Sequence, residues 1–382
     1  MSVPVDGYCT AGFERVRAAF EANFVDHGEL GAAATMVVGG ETVVDLWGGH
    51  SDLARTTPWR SDTLVNAYSV GKAVVAVLLL ARVDRGDVDL DTPVARYWPD
   101  FAQHGKERAT VRHGLSHQAG VPAIREPLTN DDLWDFDRMA RALAATRPWF
   151  EAGERHVYHT NTFGHLIGGL VRHVTGELPG TVLRAVADPI GADLWFGVPD
   201  EEHLRCAEVH FDLASSPATD ADSTDAASIG AGDERQMVAL GYANPPGYSS
   251  VGVVNTPEWR RAQIPSTNGH MSARGVARFY AELLAGRLIS DDLLAEAITP
   301  QASGPCPVLG QDVTFGLGLQ PWTEQRPFGR NPGGFGHYGS GGALGFADPT
   351  AEVAFGYVMN HVIPRWQSPR NRALVDALYA CL

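Results

Sequence analysis

The sequence predicts an α/β fold in which an antiparallel sheet flanked by helices carries a mostly helical inserted domain. Strand patterns occur near both ends of the chain, in residues 31–49 and again in residues 313–360. Between them, residues 90–240 show helical periodicity and few strand signals. Because the strands lie at both ends, we expect the two ends to share one α/β layer and the middle to be an insertion.

The boundaries of the two regions are placed where the pattern changes. Residues 1–88 and 250–382 are assigned to a discontinuous α/β domain, and residues 89–249 to the helical insert. Within the insert, residues 211–236 are polar, small and acidic, which predicts a long surface loop.

The N-terminal elements follow from periodicity and turn residues. Residues 11–29 carry apolar side chains at helical spacing and predict a first helix. Residues 31–49 predict two strands joined by a turn at Gly39–Gly40. The stretch from Ser69 to about Asp84 predicts a buried helix that ends at Arg85–Gly86.

The later elements are predicted in the same way. The insert contains two clear helical patterns, in residues 133–146 and 163–176. Three strand patterns with glycine-rich turns follow, and we expect them to be antiparallel neighbours: residues 313–322, 335–349 and 352–360. Residues 371–382 predict a final helix.

Composition limits the classes of partner. The chain has 382 residues, of which 44% are hydrophobic and 20% are charged, as in ordinary globular proteins. The formal net charge of −15 makes nucleic acid and anionic membrane surfaces poor partners. The longest apolar run, Ala73–Ala81, is too short to cross a bilayer, and the first residues lack the features of a secretory signal. We therefore expect a cytoplasmic protein.

Ser69 and Lys72 stand at the start of an apolar stretch that continues to Val83. Positions i and i+3 of a helix lie on one face, so the hydroxyl and the amine can touch. Apolar surroundings lower the pKa of a lysine, and a neutral amine can take the proton of a serine nucleophile. The alternative is a capping serine with a lysine that extends to solvent, and Ser-x-x-Lys taken alone favours it.

Two further segments carry candidate chemistry. Tyr158 precedes Asn161 and an apolar helix, which predicts either a turn with a helix cap or a proton-transferring phenol. In the second case, nearby cations such as Lys72 are needed to lower the phenol pKa of about 10. Residues 334–349 predict either a plain hairpin or an edge strand, His337-Tyr338-Gly339, that presents a backbone N–H to an acyl oxygen.

The order of these pieces resembles the serine β-lactamase and penicillin-recognising superfamily. The Ser-x-x-Lys pair comes early, the tyrosine follows a helical stretch, and the His-x-Gly strand comes late. The chain looks most like class C β-lactamases and the related family VIII carboxylesterases. The similar segments extend over most of the chain, in residues 67–101, 110–122, 265–284 and 335–349. The resemblance implies a β-lactamase-like fold.

The resemblance also implies roles for individual residues. Ser69 is expected to be the acylated nucleophile, Lys72 its partner base and Tyr158 the catalytic tyrosine. The backbone N–H groups of Ser69 and Ser340 are expected to form the oxyanion hole. Side chains and backbone supply this chemistry, so we expect no cofactor and no metal.

The chain departs from the family pattern at the substrate-binding positions. His337 and Tyr338 stand where the family has the lysine and threonine of Lys-Thr-Gly, with Gly339 as the glycine. Asn161 comes one residue later than in the family's Tyr-x-Asn, after His159 and a threonine. We expect all five residues to contact substrate. A histidine is largely neutral at pH 7, so recognition of a carboxylate is weakened.

Two other signals are set aside. His113 and His117 are four residues apart, but the glutamate of a His-Glu-x-x-His metal site is missing. No Gly-x-Ser-x-Gly motif occurs, which disfavours an ordinary α/β-hydrolase.

The sequence therefore predicts a serine hydrolase that cleaves small-molecule carboxylic esters through an acyl-enzyme on Ser69. A β-lactamase, a D-amino-acid peptidase or amidase, and a small-molecule acyltransferase are alternatives that use the same site. A non-catalytic binding protein that keeps the pocket is an alternative of another class.

Overall fold

The structure is a computed structural model that describes residues 3–211, 232–363 and 366–382. In chain order the described strands are β1 (Val5–Cys9), β2 (Gly31–Val38), β3 (Glu41–Gly49), β4 (Val65–Asn66), β5 (Leu194–Trp195), β6 (His210–Phe211), β7 (His270–Met271), β8 (Ala302–Cys306), β9 (Gln311–Phe315), β10 (Gln320–Pro321), β11 (Phe335–Tyr338), β12 (Leu344–Asp348), β13 (Val353–Met359) and β14 (His361–Val362). The described α-helices are α1 (Glu14–Asp26), α2 (Val70–Asp84), α3 (Val111–Leu115), α4 (Asn130–Leu133), α5 (Phe136–Ala145), α6 (Thr162–Thr175), α7 (Pro179–Ala187), α8 (Asp233–Ala243), α9 (Pro257–Arg261), α10 (Ala273–Leu284), α11 (Asp291–Ile298) and α12 (Pro369–Tyr379).

The main sheet joins the two ends of the chain. Its seven strands are antiparallel and lie in the order β1–β3–β2–β13–β12–β11–β10. The N-terminal hairpin meets the C-terminal strands where β2 pairs with β13, with Ala34 opposite Tyr357. The predicted antiparallel sheet flanked by helices is thereby confirmed.

Helix α10 packs closely on this sheet because two glycines leave room for it. Gly345 of β12 and Gly356 of β13 are direct cross-strand partners. A Cβ at Gly345 would lie 2.5 Å from the ring of Tyr280, and one at Gly356 would lie 2.3 Å from the carbonyl oxygen of Ala273. A larger residue at either position would push α10 away from the sheet.

Helix α2 is the central helix of the protein. Its residues from Val70 to Leu80 are all buried, as expected for a helix that is apolar on every side. It packs against α6, α7 and β11, which fixes its N-terminus beside the C-terminal part of the sheet. None of the described helices is long and apolar enough to span a membrane.

The prediction of one strand over residues 313–322 was wrong. The chain turns between β9 and β10, where Gly318 has a φ of +74° and the N–H of Gly316 donates to the oxygen of Leu319 at 3.2 Å. Strand β10 joins the main sheet, whereas β9 pairs with β8 in a separate hairpin. Glycine's access to positive φ permits this break inside an otherwise apolar run.

The predicted loop at residues 211–236 was wrong at its end. Residues 212–231 lie outside the described residues. Residues 233–236 begin helix α8, whose first turn contains Asp233 and Glu234. Acidic side chains interact favourably with a helix N-terminus, so the charge that suggested a loop stabilises a helix start.

Helices dominate the described part of residues 89–249, and strands of the main sheet come from the chain outside it. The insert also meets the rest of the chain in a small antiparallel sheet, in which β7 lies between β4 and β5. The division into two domains at these boundaries stays a prediction.

Arg370 ties the C-terminal helix to the start of the main sheet. The residue is fully buried, and its Nη1 lies 3.0 Å from a carboxylate oxygen of the equally buried Glu29. Its other N–H groups donate to the backbone oxygens of His27, Gly28 and His361. The guanidinium is thus held by a full set of acceptors, which a buried ion pair needs to be stable.

We expect Arg370→Met to lower the free energy of unfolding by about 3–5 kcal/mol, because Glu29 is left as an uncompensated buried acid. Denaturant unfolding followed by circular dichroism measures the change. Arg330→Met is the matched control, since the Arg330–Asp376 pair is 57% and 67% exposed. Its loss is expected to cost less than about 1 kcal/mol. Equal losses in the two variants would contradict the structural role of Arg370.

Candidate active site

A strained turn places Ser69 at the N-terminus of α2. Tyr68 has a φ of +52°, which is rare for a residue with a side chain and is typical of functional sites. The N–H of Ala67 donates to the oxygen of Gly269 at 2.8 Å and anchors the turn. The side chain of Ser69 makes no capping hydrogen bond to its own helix. The hydroxyl is therefore available to other partners, and the capping alternative does not describe it.

Ser69, Lys72 and Tyr158 come together around the serine hydroxyl. The Nζ of Lys72 lies 2.9 Å from the Oγ of Ser69. The hydroxyl of Tyr158 lies 3.0 Å from the same Oγ, although 89 residues separate the two in sequence. Nζ also lies 4.9 Å from the centroid of the Tyr158 ring. The amine and the phenol are thus both within reach of the Ser69 hydroxyl for proton transfer.

Lys72 is completely buried and does not extend to solvent. Its Nζ donates to the backbone oxygen of Ser266 at 3.1 Å. Burial holds the pKa of the amine well below the usual value of a lysine. The amine is therefore uncharged over a wider pH range than a surface lysine, as the role of proton acceptor requires.

The pKa of Tyr158 moves in the direction opposite to the one that the proton-transfer hypothesis required. Burial raises it to about 12, and the hydrogen bond with Ser69 only partly opposes this. An uncharged Lys72 does not lower the pKa as an ammonium would. The phenol therefore keeps its proton at neutral pH and can act as a donor.

His117 supports the segment that carries Tyr158. Its backbone oxygen accepts from the N–H of Val157 at 3.0 Å, and its Nδ1 accepts from the N–H of His159 at 3.1 Å. Its ring centroid lies 5.0 Å from that of Tyr158. Burial lowers its pKa well below the usual range, so the ring is neutral. Within the described parts of the chain, no three His, Cys, Asp or Glu side chains are grouped as metal ligands.

Strand β11 approaches the serine turn closely. A Cβ at Gly339 would lie 2.4 Å from the backbone oxygen of Ala67, so only glycine fits there. The N–H of Gly339 donates to the oxygen of Ala343 at 2.7 Å, which closes the turn before β12. The next residue, Ser340, is exposed. The close approach joins the residue before Ser340 to the turn before Ser69, and a role of the Ser340 amide in an oxyanion hole stays a prediction.

His337 lies beside the catalytic groups as a neutral ring. Its Nδ1 donates to the backbone oxygen of Tyr338 at 2.7 Å, which leaves Nε2 as an acceptor. Its ring centroid lies 6.4 Å from that of Tyr158. Burial, reinforced by the positive charge of Arg326, lowers its pKa to about 3. The family has a lysine at this position, and His337 does not supply the positive charge of its ammonium group.

The side chain of Tyr338 is engaged elsewhere in the protein. Its ring packs against Phe328 and Trp366, with centroids 4.9 and 4.7 Å apart. Its hydroxyl donates to the backbone oxygen of Pro327. The contribution of Tyr338 to the site is therefore the backbone oxygen that orients His337.

His159 and Asn161 are both buried and hydrogen-bonded to the protein. Nδ1 of His159 bonds the oxygen of Val157 at 2.6 Å, and Nε2 accepts from the N–H of Val121 at 3.2 Å. The amide of Asn161 donates to Gly241 at 2.8 Å and accepts from the hydroxyl of Thr267 at 2.6 Å. These hydrogen bonds hold both side chains in the protein interior. Substrate contact by either residue stays a prediction.

Three contributors to the site were not predicted from the sequence. Ser266 acts through its backbone oxygen, so its residue type carries no signal. His117 is singled out in the sequence only by its spacing of four residues from His113, which is a spacing of metal ligands. Phe315 lies parallel to the Tyr158 ring with centroids 5.8 Å apart, a contact between distant segments that no local pattern reveals.

The site is that of a serine acyl-transfer protein, with a hydroxyl in contact with a buried amine and a phenol. The family model described as Beta-lactamase matches residues 16–379, so the chain belongs to the beta-lactamase family. It is 32% identical to the esterase/beta-lactamase LipL of Mycobacterium tuberculosis, over 94% of this chain and 83% of that protein.

Solved structures of related proteins have the same fold as this chain. A family VIII carboxylesterase superposes with a TM-score of 0.90 at 36% identity, over 99% of this chain and all of that one. A penicillin-binding protein homologue from Caulobacter crescentus superposes with a TM-score of 0.89 at 37% identity, with the same coverage of both chains. The resemblance inferred from the sequence motifs is confirmed.

We expect ester turnover to fall as the pH is lowered through the depressed pKa of Lys72, because protonation removes the acceptor for the serine proton. At alkaline pH turnover is expected to persist until the phenol of Tyr158 loses its proton near pH 12. Lys72→Arg should lose about a hundredfold or more at every pH, since arginine stays charged. The profile of kcat/KM for p-nitrophenyl butyrate measures both effects.

Lys106→Arg is the matched control for this substitution. Lys106 is also buried, but its Nζ donates to the oxygens of Gln103 and Thr146 and not to Ser69. The control is expected to keep its pH profile. Retained activity in Lys72→Arg would contradict the role assigned to the amine.

We expect Gly339→Ala to lower kcat about a hundredfold, because the added Cβ forces β11 away from Ala67 and displaces the neighbouring amide. Gly333→Ala is the control in the same segment, since its Cβ would meet its nearest neighbour, Thr350, at 3.8 Å. Steady-state kinetics of the two variants tests the prediction. Equal activity of both would show that the close approach does not matter.

Proposed function

We propose that the protein is a serine carboxylesterase that acts on small, uncharged esters. The observation that carries the proposal is the contact of 2.9 Å between the Ser69 hydroxyl and the buried amine of Lys72. A binding pocket gains nothing from an unpaired amine in an apolar interior, whereas a nucleophile needs such a base. The structural similarity to a family VIII carboxylesterase supports the same reaction.

Acylation follows from the contacts around Ser69. Its Oγ attacks the ester carbonyl carbon while its proton passes to the Nζ of Lys72. The tetrahedral oxyanion accepts hydrogen bonds from the backbone N–H groups of Ser69 and Ser340. The bond from the carbonyl carbon to the alcohol oxygen then breaks, and Tyr158 gives its proton to the departing alkoxide. Lys72 returns a proton to Tyr158, so the site is again neutral.

Deacylation uses the same groups in reverse. A water molecule gives a proton to the Nζ of Lys72 and adds to the acyl carbon. The second tetrahedral intermediate collapses, the carboxylic acid leaves, and Ser69 recovers its proton. The high pKa of Tyr158 keeps the phenol a donor in both halves of the reaction.

The charge state of the site supports neutral substrates. Burial lowers the pKa values of Lys72, His117 and His337, which disfavours a positive charge on each of these groups. A substrate carboxylate next to these three side chains would be removed from water with little compensating positive charge on them. Esters without a carboxylate near the scissile bond are therefore the favoured class.

Hydrolysis of β-lactams is a second candidate. The relative with 32% identity over 94% of this chain is named an esterase/beta-lactamase. A β-lactam is also opened by acylation of a serine. The neutral His337 disfavours it, because natural β-lactams carry a carboxylate.

The two candidates are separated by turnover of p-nitrophenyl esters and of a chromogenic cephalosporin by the same preparation. We expect ester turnover with a higher kcat/KM than cephalosporin turnover, and loss of both in Ser69→Ala. Tyr158→Phe is expected to lower ester turnover by about 10²–10⁴. Tyr8→Phe, at a tyrosine that is 47% exposed, is the control and should be unchanged.

A covalent adduct of a phosphonate ester on Ser69, detected by mass spectrometry, is expected for either enzyme. Faster cephalosporin turnover would favour the lactamase. Absence of turnover and of an adduct would show a binding protein and reject the proposal.

A further inference from the structure

Tyr158 lies in a segment without regular secondary structure. Residues 155–159 form neither helix nor strand, so no hydrogen-bond ladder fixes the backbone there. The tyrosine hydroxyl is nevertheless placed 3.0 Å from the Oγ of Ser69. Its position must depend on contacts that come from other parts of the chain.

One set of contacts comes from the turn at His117. Its backbone oxygen and its Nδ1 accept hydrogen bonds from the N–H groups of Val157 and His159. These bonds hold the residues on either side of Tyr158. The backbone N–H of Tyr158 itself points to a different partner.

That partner is on the hairpin formed by β8 and β9, residues 302–315. The N–H of Tyr158 donates to the Sγ of Cys306 at 3.3 Å. The ring of Phe315 lies parallel to the ring of Tyr158, with centroids 5.8 Å apart. A third contact joins the Nε2 of His156 to the oxygen of Gly304 at 3.2 Å.

The hairpin is built to face this segment with one side only. Cys306 and Phe315 are each 2% exposed, whereas Ser303 and Pro305 face solvent. The hairpin is a separate two-stranded sheet and does not continue the main sheet. Two strands alone are marginally stable, so the hairpin depends on its packing against the tyrosine segment. A change on its inner side should therefore be felt at Tyr158.

We propose that Cys306 and Phe315 are positioning residues that set the place of the Tyr158 hydroxyl relative to Ser69. Cys306 fixes the backbone through its sulfur, and Phe315 fixes the plane of the ring. Neither residue takes part in bond making. The inference rests on the proposed role of Tyr158, which Tyr158→Phe tests separately.

The main test is Cys306→Val, which keeps an apolar side chain and removes the hydrogen-bond acceptor. We expect kcat for p-nitrophenyl butyrate to fall about tenfold with KM changed by less than about twofold, because the proton donor is displaced while binding is kept. Cys306→Ser restores an acceptor and is expected to stay within about threefold of the unmodified protein.

Cys206→Val is the matched control for loss of a buried thiol. Cys206 is 9% exposed and packs with Leu64 and Val198, outside the tyrosine segment. Its kcat is expected to be unchanged. Thermal unfolding of all the variants separates a loss of fold from a loss of positioning.

A double-mutant cycle distinguishes positioning from a general structural effect. In a Tyr158→Phe background the hydroxyl is gone, so Cys306→Val is expected to cause no further loss of kcat. An equal loss in both backgrounds, full activity of Cys306→Val, or failure of Cys306→Ser to recover activity would each overturn the proposal. Where Cys306→Val does not fold, Phe315→Leu takes its place in the double-mutant cycle. A loss of kcat that disappears in the Tyr158→Phe background supports the proposal, and an equal loss in both backgrounds or full activity overturns it.

Discussion

The site depends on one constraint, which is that a lysine amine must stay buried with no counter-ion among the described residues. Lys72 is 0% exposed, and its polar contacts are the Ser69 hydroxyl and the backbone oxygen of Ser266. Removing an ammonium from water costs far more than removing an amine, so burial favours the uncharged form of the group. A carboxylate near Nζ would restore the charge and abolish the property that the reaction requires.

The burial of this amine explains why α2 is the central helix. Every residue from Val70 to Leu80 is buried, so the turn that carries Ser69 is rigidly attached to the core. The stability of this core permits a strained φ of +52° at Tyr68 directly before the nucleophile. Elsewhere in the fold a buried charged side chain is stabilised by a counter-ion, since Arg370 is paired with Glu29 and fully hydrogen-bonded.

Three separate parts of the chain supply the groups of the candidate site, and each is positioned in a different way. Ser69 and Lys72 share a helix, so their distance is set by helical geometry. The strand with Gly339 approaches them through the absence of a side chain. Tyr158 is positioned neither by helical geometry nor by a glycine contact. Its segment is held by tertiary contacts with Cys306 and His117. Its placement is therefore the part of the site that is most sensitive to changes at a distance.

Much of this could be predicted from the sequence, because it is encoded locally. Periodicity gave the helix at Ser69–Asp84, the hairpin at residues 31–49 and the antiparallel C-terminal strands, and the spacing of Ser69 and Lys72 placed their side chains together. The split of residues 313–322 and the helix at 233–236 were missed, because a glycine turn and an acidic helix start resemble strand and loop composition.

The sequence by itself determined the family and placed Ser69 and Lys72 on one face of a helix. Only the tertiary structure decided that the phenol is a proton donor with a raised pKa, that Tyr338 contributes a backbone oxygen, and that Cys306 lies against the tyrosine segment. The physical reason is how far apart in sequence the interacting residues are. Helical spacing is set by neighbours in sequence, whereas burial and contacts between distant segments exist only after the chain has packed.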